Sequence, residues 1–169
     1  MTPQTLPASR CARDTDVEMP QLVLPQHANV HGSALGGMLL HWIDIAAALV
    51  ADRDSRRPVV TAAIDEMAFH GPILIGELAL IHARITSVDR SSMEIRVEVE
   101  SENPLTGDRR HTSTAFVTFV AIDPATRRPT PVPSLILDTD EERAEHERAL
   151  ARRQLRLERR ASSQSASHR

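Results

Sequence analysis

The chain has 169 residues, with 20 basic and 23 acidic side chains and a net charge of −3, enough length for one domain with a substantial core. That balance gives the body of the protein no electrostatic pull toward nucleic acid, and an aromatic content of 2% without tyrosine excludes a base-stacking platform. Every basic residue other than histidine is arginine, and the single cysteine, Cys11, excludes an internal disulfide and a thiolate metal cluster.

In chain order, residues 1–19 mix Pro, Thr, Asp and Arg without apolar periodicity and read as a flexible lead-in. No basic-then-apolar leader is present, and the longest apolar run falls short of the roughly 20 residues that cross a bilayer, so a cytoplasmic protein without membrane partners is expected. Residues 21–24 form a short strand candidate ended by Pro25. A loop rich in small and polar residues follows, with Ser33 as a candidate cap for a helix over residues 36–53. Four strand candidates come next: Val59–Phe69, 77–88, 93–99 and 112–122, separated by Gly and Pro punctuation. In the third, Met93, Ile95, Val97 and Val99 alternate with Glu94, Arg96 and Glu98, the pattern of a strand with one buried and one polar face. Short connections favour antiparallel pairing, and a helix apolar nearly all round must be wrapped by the sheet, which gives an α+β class. Thr139 with Glu142 makes a capping-box signature for a charged helix over residues 141–160, whose interleaved Glu and Arg read as a solvated helix with local ion pairs. Residues 161–169 read as a disordered tail. The expected organisation is therefore a lead-in (1–19), one domain (20–136), and a charged helix with its tail (137–169).

The candidate chemistry lies at the first helix. Asp44 interrupts the run MLLHWIDIAAALVA, and a carboxylate in a buried helix costs several kcal/mol unless partners compensate it. Gly36 and Gly37 open that run, where backbone N–H groups and the positive end of the helix dipole can face a ligand. Plainer readings exist: His41, Asp44, Ala48 and Asp52 lie along one helix side that could face water, the glycines could serve packing, and Asn29 could be a turn former. His27 and His31 have no further ligand at metal spacing, so no metal is expected. The chain has no Gly-x-Ser-x-Gly elbow, and Cys11 lies in the irregular lead-in, which argues against serine or thiol catalysis. The turn Arg90-Ser91-Ser92 offers a guanidinium, two hydroxyls and turn N–H groups suited to a phosphate, though such turns also occur simply solvated.

The stretches LPQHANVHGSALGGMLLHWID, VVTAAIDEMAFHGPILIGE, VDRSSMEIRVEVE, STAFVTFVAID and PVP, in this order, resemble the hotdog-fold acyl-CoA thioesterases, most closely the bacterial YciA-like and animal brain-type acyl-CoA hydrolases. The resemblance implies a curled sheet around one long helix, and hydrolysis of acyl-CoA to a fatty acid and coenzyme A. It places Asp44 on the family's catalytic carboxylate and Asn29 on a loop asparagine that reaches the site from a partner subunit. Gly37, with Gly36, falls on the glycine pair facing the thioester carbonyl, and Arg90, Ser91 and Ser92 fall on a turn near the nucleotide of coenzyme A. It also implies dimers joined sheet to sheet, three of which make a homohexamer, with no metal or redox cofactor. Asp89 stands where a glycine is usual, His27 and Ala28 replace an Asp-Thr or Asn-Thr pair, and Leu35 replaces an aromatic residue. Two other readings share the fold: an enoyl-CoA hydratase or dehydratase using His41 with Asp44, and a non-catalytic acyl-CoA-binding module.

Overall fold

Alternating apolar residues build one twisted sheet, and the apolar helix lies in its curve. In the computed structural model, which describes residues 8–166, the chain begins with β1 (Ser9–Cys11), a 3-10 turn (Ala12–Thr15) and β2 (Val17–Leu22). A second 3-10 turn (Pro25–His27) and a loop lead into α1 (Gly36–Ser55). Strands β3 (Val59–Phe69), β4 (Leu78–Val88), β5 (Ser92–Glu102) and β6 (Arg109–Ala121) follow, then β7 (Ser134–Ile136) and α2 (Asp140–Ala166). The five-stranded sheet has the order β2-β4-β5-β6-β3, antiparallel at every pairing. Consecutive β3 and β4 are therefore not neighbours: β3 crosses over to pair with β6 and becomes an edge.

The core forms between α1 and the inner face of the sheet, where Trp42, Ile43, Ala46, Ala47 and Val50 meet Ile81, Ile85, Met93, Ile95, Val97, Val117 and Phe119. Alanines at the helix–sheet contact let the backbones approach closely, and Arg56, at φ 49°, ends α1 in the left-handed region with its N–H on the Asp52 carbonyl.

Three expectations are corrected. From Ser9 onward the supposed lead-in is ordered: β1 pairs with β7, Ala12 and Thr15 are buried, and β2 begins at Val17. Short alternating segments such as Val17-Glu-Met-Pro give too weak a period to read alone; residues 1–7 lie outside the described residues. Ser33 does not cap α1, whose N-cap is Leu35 with no side-chain cap, because the Ser33 hydroxyl accepts from Asn29 Nδ2 instead.

The third concerns α2. Its capping box is present, with Glu142 N–H on Thr139 Oγ1 and Thr139 N–H on Glu142 Oε2, both at 3.1 Å. The helix runs on to Ala166 through most of the supposed tail, of which residues 167–169 lie outside the described set. It is also not simply solvated. Ala149 is fully buried, and Arg152 reaches Glu94 on β5 at 2.8 Å while stacking over Phe116 of β6 at 3.7 Å. Arg156 pairs with Asp65 on β3, and the imidazole of His146 lies 3.2 Å from the Thr86 carbonyl on β4. The polar outer face of the sheet is thus the seat of a helix, and Glu94, read as facing water, is buried beneath it.

Candidate active site

The loop before α1 is tied by backbone bonds. Asn29 N–H donates to Ser33 O at 2.8 Å, Ala34 N–H to Ile73 O at 2.8 Å, and Ile75 N–H to Gly32 O at 3.0 Å. Gly32, at φ 77°, takes the tight position. Asn29 organises this turn: its Oδ1 accepts from His31 N–H at 2.8 Å and Ser33 N–H at 3.3 Å, and its Nδ2 donates to Ser33 Oγ at 3.1 Å. An amide nitrogen has two hydrogens, so one donor remains for another partner. His27 is structural; its ring packs edge-on against Trp42 at 5.1 Å and Nδ1 accepts from Leu24 N–H. No group of three or more possible metal ligands occurs among the described residues.

With no side chain capping α1, the N–H groups of its first turn point out of the helix unclaimed by an intrahelical acceptor. A side chain at Gly37 would meet nothing within 4 Å, whereas one at Gly36 would touch the Phe69 ring at 3.5 Å. Gly37 is therefore bare for a reason other than packing within this chain.

Asp44 is half-buried on the middle of α1, less enclosed than its sequence context suggests. Thr61 Oγ1 of β3 donates to its Oδ1 at 2.9 Å, which fixes the carboxylate and leaves Oδ2 without a hydrogen-bond donor among the described residues. Thr61 was not evident in the sequence, since a threonine within VVTAAID reads as an ordinary strand residue. The deeply buried carboxylate of α1 is instead Asp54, 3% exposed, with Arg10 of β1 at 3.6 Å. Burial pushes its carboxyl up, and Arg10 and Arg56 only partly oppose that. His41 is exposed and shares no hydrogen bond with Asp44 among the described residues, which removes the pairing a hydratase would need.

One chain does not bring all the candidates together. At ~1.5 Å rise per residue, Asp44 lies about 10 Å along the axis from Gly37, too far for both to act on one carbonyl. Asn29 and Asp44 share no hydrogen bond among the described residues. The Arg90 turn sits where Ser91 O accepts from Ala121 N–H and Arg90 O from Val132 N–H, at the sheet end where β3 starts. Gly36 lies against Phe69, where β3 finishes. A concavity of about 840 Å³ lies elsewhere, between β2, β4 and the first half of α2, and most of its charges are paired, as in Arg84–Asp16 at 2.5 Å. None of the candidate residues lines it.

Asp89, the departure beside Arg90, is neutralised locally. The Arg90 N–H donates to it and Arg153 of α2 pairs with it, together holding its carboxyl below the usual range.

The comparisons decide the family. The sequence profile of the Thioesterase superfamily matches residues 31–107. The uncharacterized acyl-CoA thioester hydrolase YkhA of Bacillus subtilis is 36% identical over 94% of this chain and 92% of its own. The chain belongs to the thioesterase superfamily. Among solved structures, an apo hexameric acyl-CoA thioesterase is 37% identical with a TM-score of 0.86, over 90% of this chain and 97% of that one. An acyl-CoA hydrolase from Staphylococcus aureus, solved with butyryl coenzyme A and coenzyme A, is 28% identical with a TM-score of 0.86, over 94% of this chain and 96% of that one. That enzyme was also solved with an aspartate, a threonine or an asparagine replaced by alanine, and those three have the same sequence spacing as Asp44, Thr61 and Asn29. The fold is the hotdog fold, as the sequence resemblance implied. No helix among the described residues is long and apolar enough to cross a membrane.

Proposed function

We propose that this thioesterase hydrolyses acyl-CoA to a free acid and coenzyme A at a site shared between two copies of the chain. The observation that carries the reading is the half-tethered carboxylate: Asp44 has one oxygen held by Thr61 and the other without a donor among the described residues, on a helix whose glycine start has no side-chain cap. The first-turn N–H groups at Gly36 and Gly37, with the spare Asn29 donor, polarise the thioester carbonyl and stabilise the oxyanion as it forms. The carboxylate comes from the partner's Asp44, since the axial separation within one helix is too long. Its free oxygen either takes a proton from water, which adds to the carbonyl carbon, or adds itself to give a mixed anhydride that water then cleaves. In both routes the C–S bond breaks and the thiolate leaves as coenzyme A, protonated from solvent. No step calls for a metal or redox cofactor; coenzyme A enters with the substrate.

Exposed apolar surface supports the shared site. At the open edge of β3, Ile64 is 42% exposed on the face toward α1, where Ile45 is 36% and Leu49 42% exposed, and Val60, 50% exposed, lies on the other face. Such apolar surface beside unpaired strand N–H and C=O groups is suited to a second copy. Edge-to-edge pairing of two β3 strands sets two α1 helices side by side, and association of three such dimers gives a hexamer like those of the similar enzymes. Arg90, Ser91 and Ser92 then receive the nucleotide phosphates, with Arg153 cancelling the Asp89 charge beside them.

The test is turnover of a panel of acyl-CoAs by Asp44→Asn. Loss of a general base or nucleophile should lower kcat by two or more orders of magnitude, at unchanged assembly. Near-normal kcat would return Asp44 to a polar helix stripe, and binding without turnover by the wild-type protein would make it a sensor.

A further inference from the structure

β3 carries two ionisable side chains that the chemistry above does not use, Asp65 and Glu66, and Asp65 is the one that is largely buried. It lies on the face of the sheet away from α1, and its side chain is 11% exposed. Two elements hold it. Thr118 Oγ1 of β6 donates to Oδ2 at 3.3 Å, and the Arg156 guanidinium of α2, itself 15% exposed, pairs with the same oxygen.

Its position in the strand gives this contact a consequence. Pairing of β3 with β6 slips twice, between Thr61 and Ala63 and between Ile64 and Glu66, so Ala62 and Asp65 are the extra residues of two bulges. A bulge residue lacks a partner in the ladder, so its conformation must be fixed by other contacts, and bulges re-aim nearby side chains. Only Ala63 and Ile64 stand between the two bulges, and immediately beyond the first is Thr61, whose hydroxyl holds Asp44 at 2.9 Å. On its other side β3 is an open edge. Pairing with β6, interrupted here, and the Asp65 anchor are what locate this stretch within the chain.

The geometry points to Asp65 as a positioning residue for thioester hydrolysis, with Arg156 as its clamp: together they set the bulged stretch of β3 so that Thr61 meets Asp44. This rests on the assignment of Asp44 and Thr61 to the active site. It gives α2, on the opposite face of the sheet, a part in the chemistry without contact with substrate.

A double-mutant cycle tests it, with steady-state kinetics on butyryl-CoA and light scattering on the intact assembly. Asp65→Asn should lower kcat about tenfold, within the ~100-fold that a 1 Å misplacement near the reaction can cost, and leave KM within about twofold. Arg156→Gln should lower it similarly. In a Thr61→Val background, which already lacks the hydroxyl, neither change should reduce kcat further. The pair Asp65→Asn with Arg156→Gln removes both charges at once and so avoids a stranded buried ion, which keeps the fold measurable. That pair should match the single variants in kcat and retain the wild-type assembly. Losses that multiply with Thr61→Val, a rise in KM alone, or a charge-free pair with full kcat would each overturn the proposal. So would a charge-free pair that no longer assembles, because Asp65 would then serve only the scaffold. A Thr61→Val enzyme with unchanged kcat would instead overturn the site assignment beneath it.

Discussion

Replacing Arg152 with Met tests whether α2 is docked on the sheet in solution as the structure has it. The guanidinium is 17% exposed and binds Glu94, whose side chain is 2% exposed, at 2.8 Å, and Glu145 at 2.7 Å. It also stacks on Phe116 at 3.7 Å. Met keeps most of the apolar stem but leaves Glu94 with only the Thr86 hydroxyl, at 2.8 Å, as a side-chain donor. An uncompensated buried charge costs about 3–5 kcal/mol, a range that already contains the lost hydrogen bonds. At ~2–4 °C per kcal/mol for a chain of this size, the melting midpoint should fall by on the order of 10 °C. Scans are run at fixed protomer concentration, because assembly also contributes to the midpoint. Arg143→Met is the control on the same helix: it gives up the fully exposed Asp140 and a bond to the Leu137 carbonyl but strands no buried charge, and the midpoint should barely move.

The pH dependence has a definite sign. Burial pushes Glu145 up, but hydrogen bonds from Arg148 and Arg152 outweigh it and hold the carboxyl below its ordinary value. A depressed folded pKa stabilises fully above the unfolded value, about 4.5, and is lost as pH falls through the folded one. Arg152→Met removes one of the two donors, so the gap between variant and wild type should narrow on acidification below about pH 5. Equal midpoints for Arg152→Met and Arg143→Met at neutral pH would refute the docked helix.

Arg90→Ala should raise KM for acyl-CoA by roughly 10- to 100-fold, on loss of about 1.5–3 kcal/mol of charge-assisted contact, with a smaller effect on kcat. With an acyl thioester of a short thiol lacking the nucleotide, the defect should vanish; an equal defect there would make Arg90 a support for its turn. Asp54→Asn addresses the buried carboxylate of α1, whose folded pKa lies above the unfolded value of 3.8 because of burial. Ionisation of such a group removes stability as pH rises through that window, so at pH ~7 the variant should melt no lower than wild type, and any advantage should disappear below pH ~4. A variant that melts well below wild type at neutral pH would mean that the pair with Arg10 outweighs the burial. Ile64→Arg, on the open edge of β3, should leave a folded chain of smaller molar mass with little turnover, measured by light scattering with kinetics; an active monomer would remove the shared site.

The sheet and the central helix were legible because their signals are long. Met93 to Val99 alternates without a break, and β3 occupies the stretch read from its β-branched and small residues. Asp44, Gly36 and Gly37 stood out because each residue type is unusual for its place, and Asn29 through the family resemblance. What escaped was set by tertiary contact. Thr61 looks like any strand threonine until β3 is laid beside α1, and the crossover that does so leaves no local mark. Likewise Glu94 fits an alternating strand whether the face above it holds water or Arg152. The N-terminal strands are short segments whose stability comes from distant partners, Val17–Leu22 from β4 and Ser9–Cys11 from β7, and the turn between them is tied likewise, with Thr15 Oγ1 accepting from Ile85 N–H.

The two sheet edges differ in a way that bears on the active site itself. β2 carries Pro20, which has no N–H to offer, and charged Glu18, so this edge is poor at pairing with another strand. β3 has no proline, and beside Thr61 and the charged Glu66 it exposes three large apolar side chains, Val60, Ile64 and Phe69. In the dimer proposed above, a second copy would add at β3, the strand that supplies Thr61 to Asp44. Pairing there would bring the helices of the two copies together on the inner face, where one chain alone leaves Ile45 and Leu49 uncovered. On that proposal, the event that buries Ile45 and Leu49 would set the glycine start of one helix near the Asp44 carboxylate of the other, the two being separated by about 10 Å within either chain. Association and completion of the site would then be one step, and an isolated chain should fold yet lack a place to hold a thioester carbonyl.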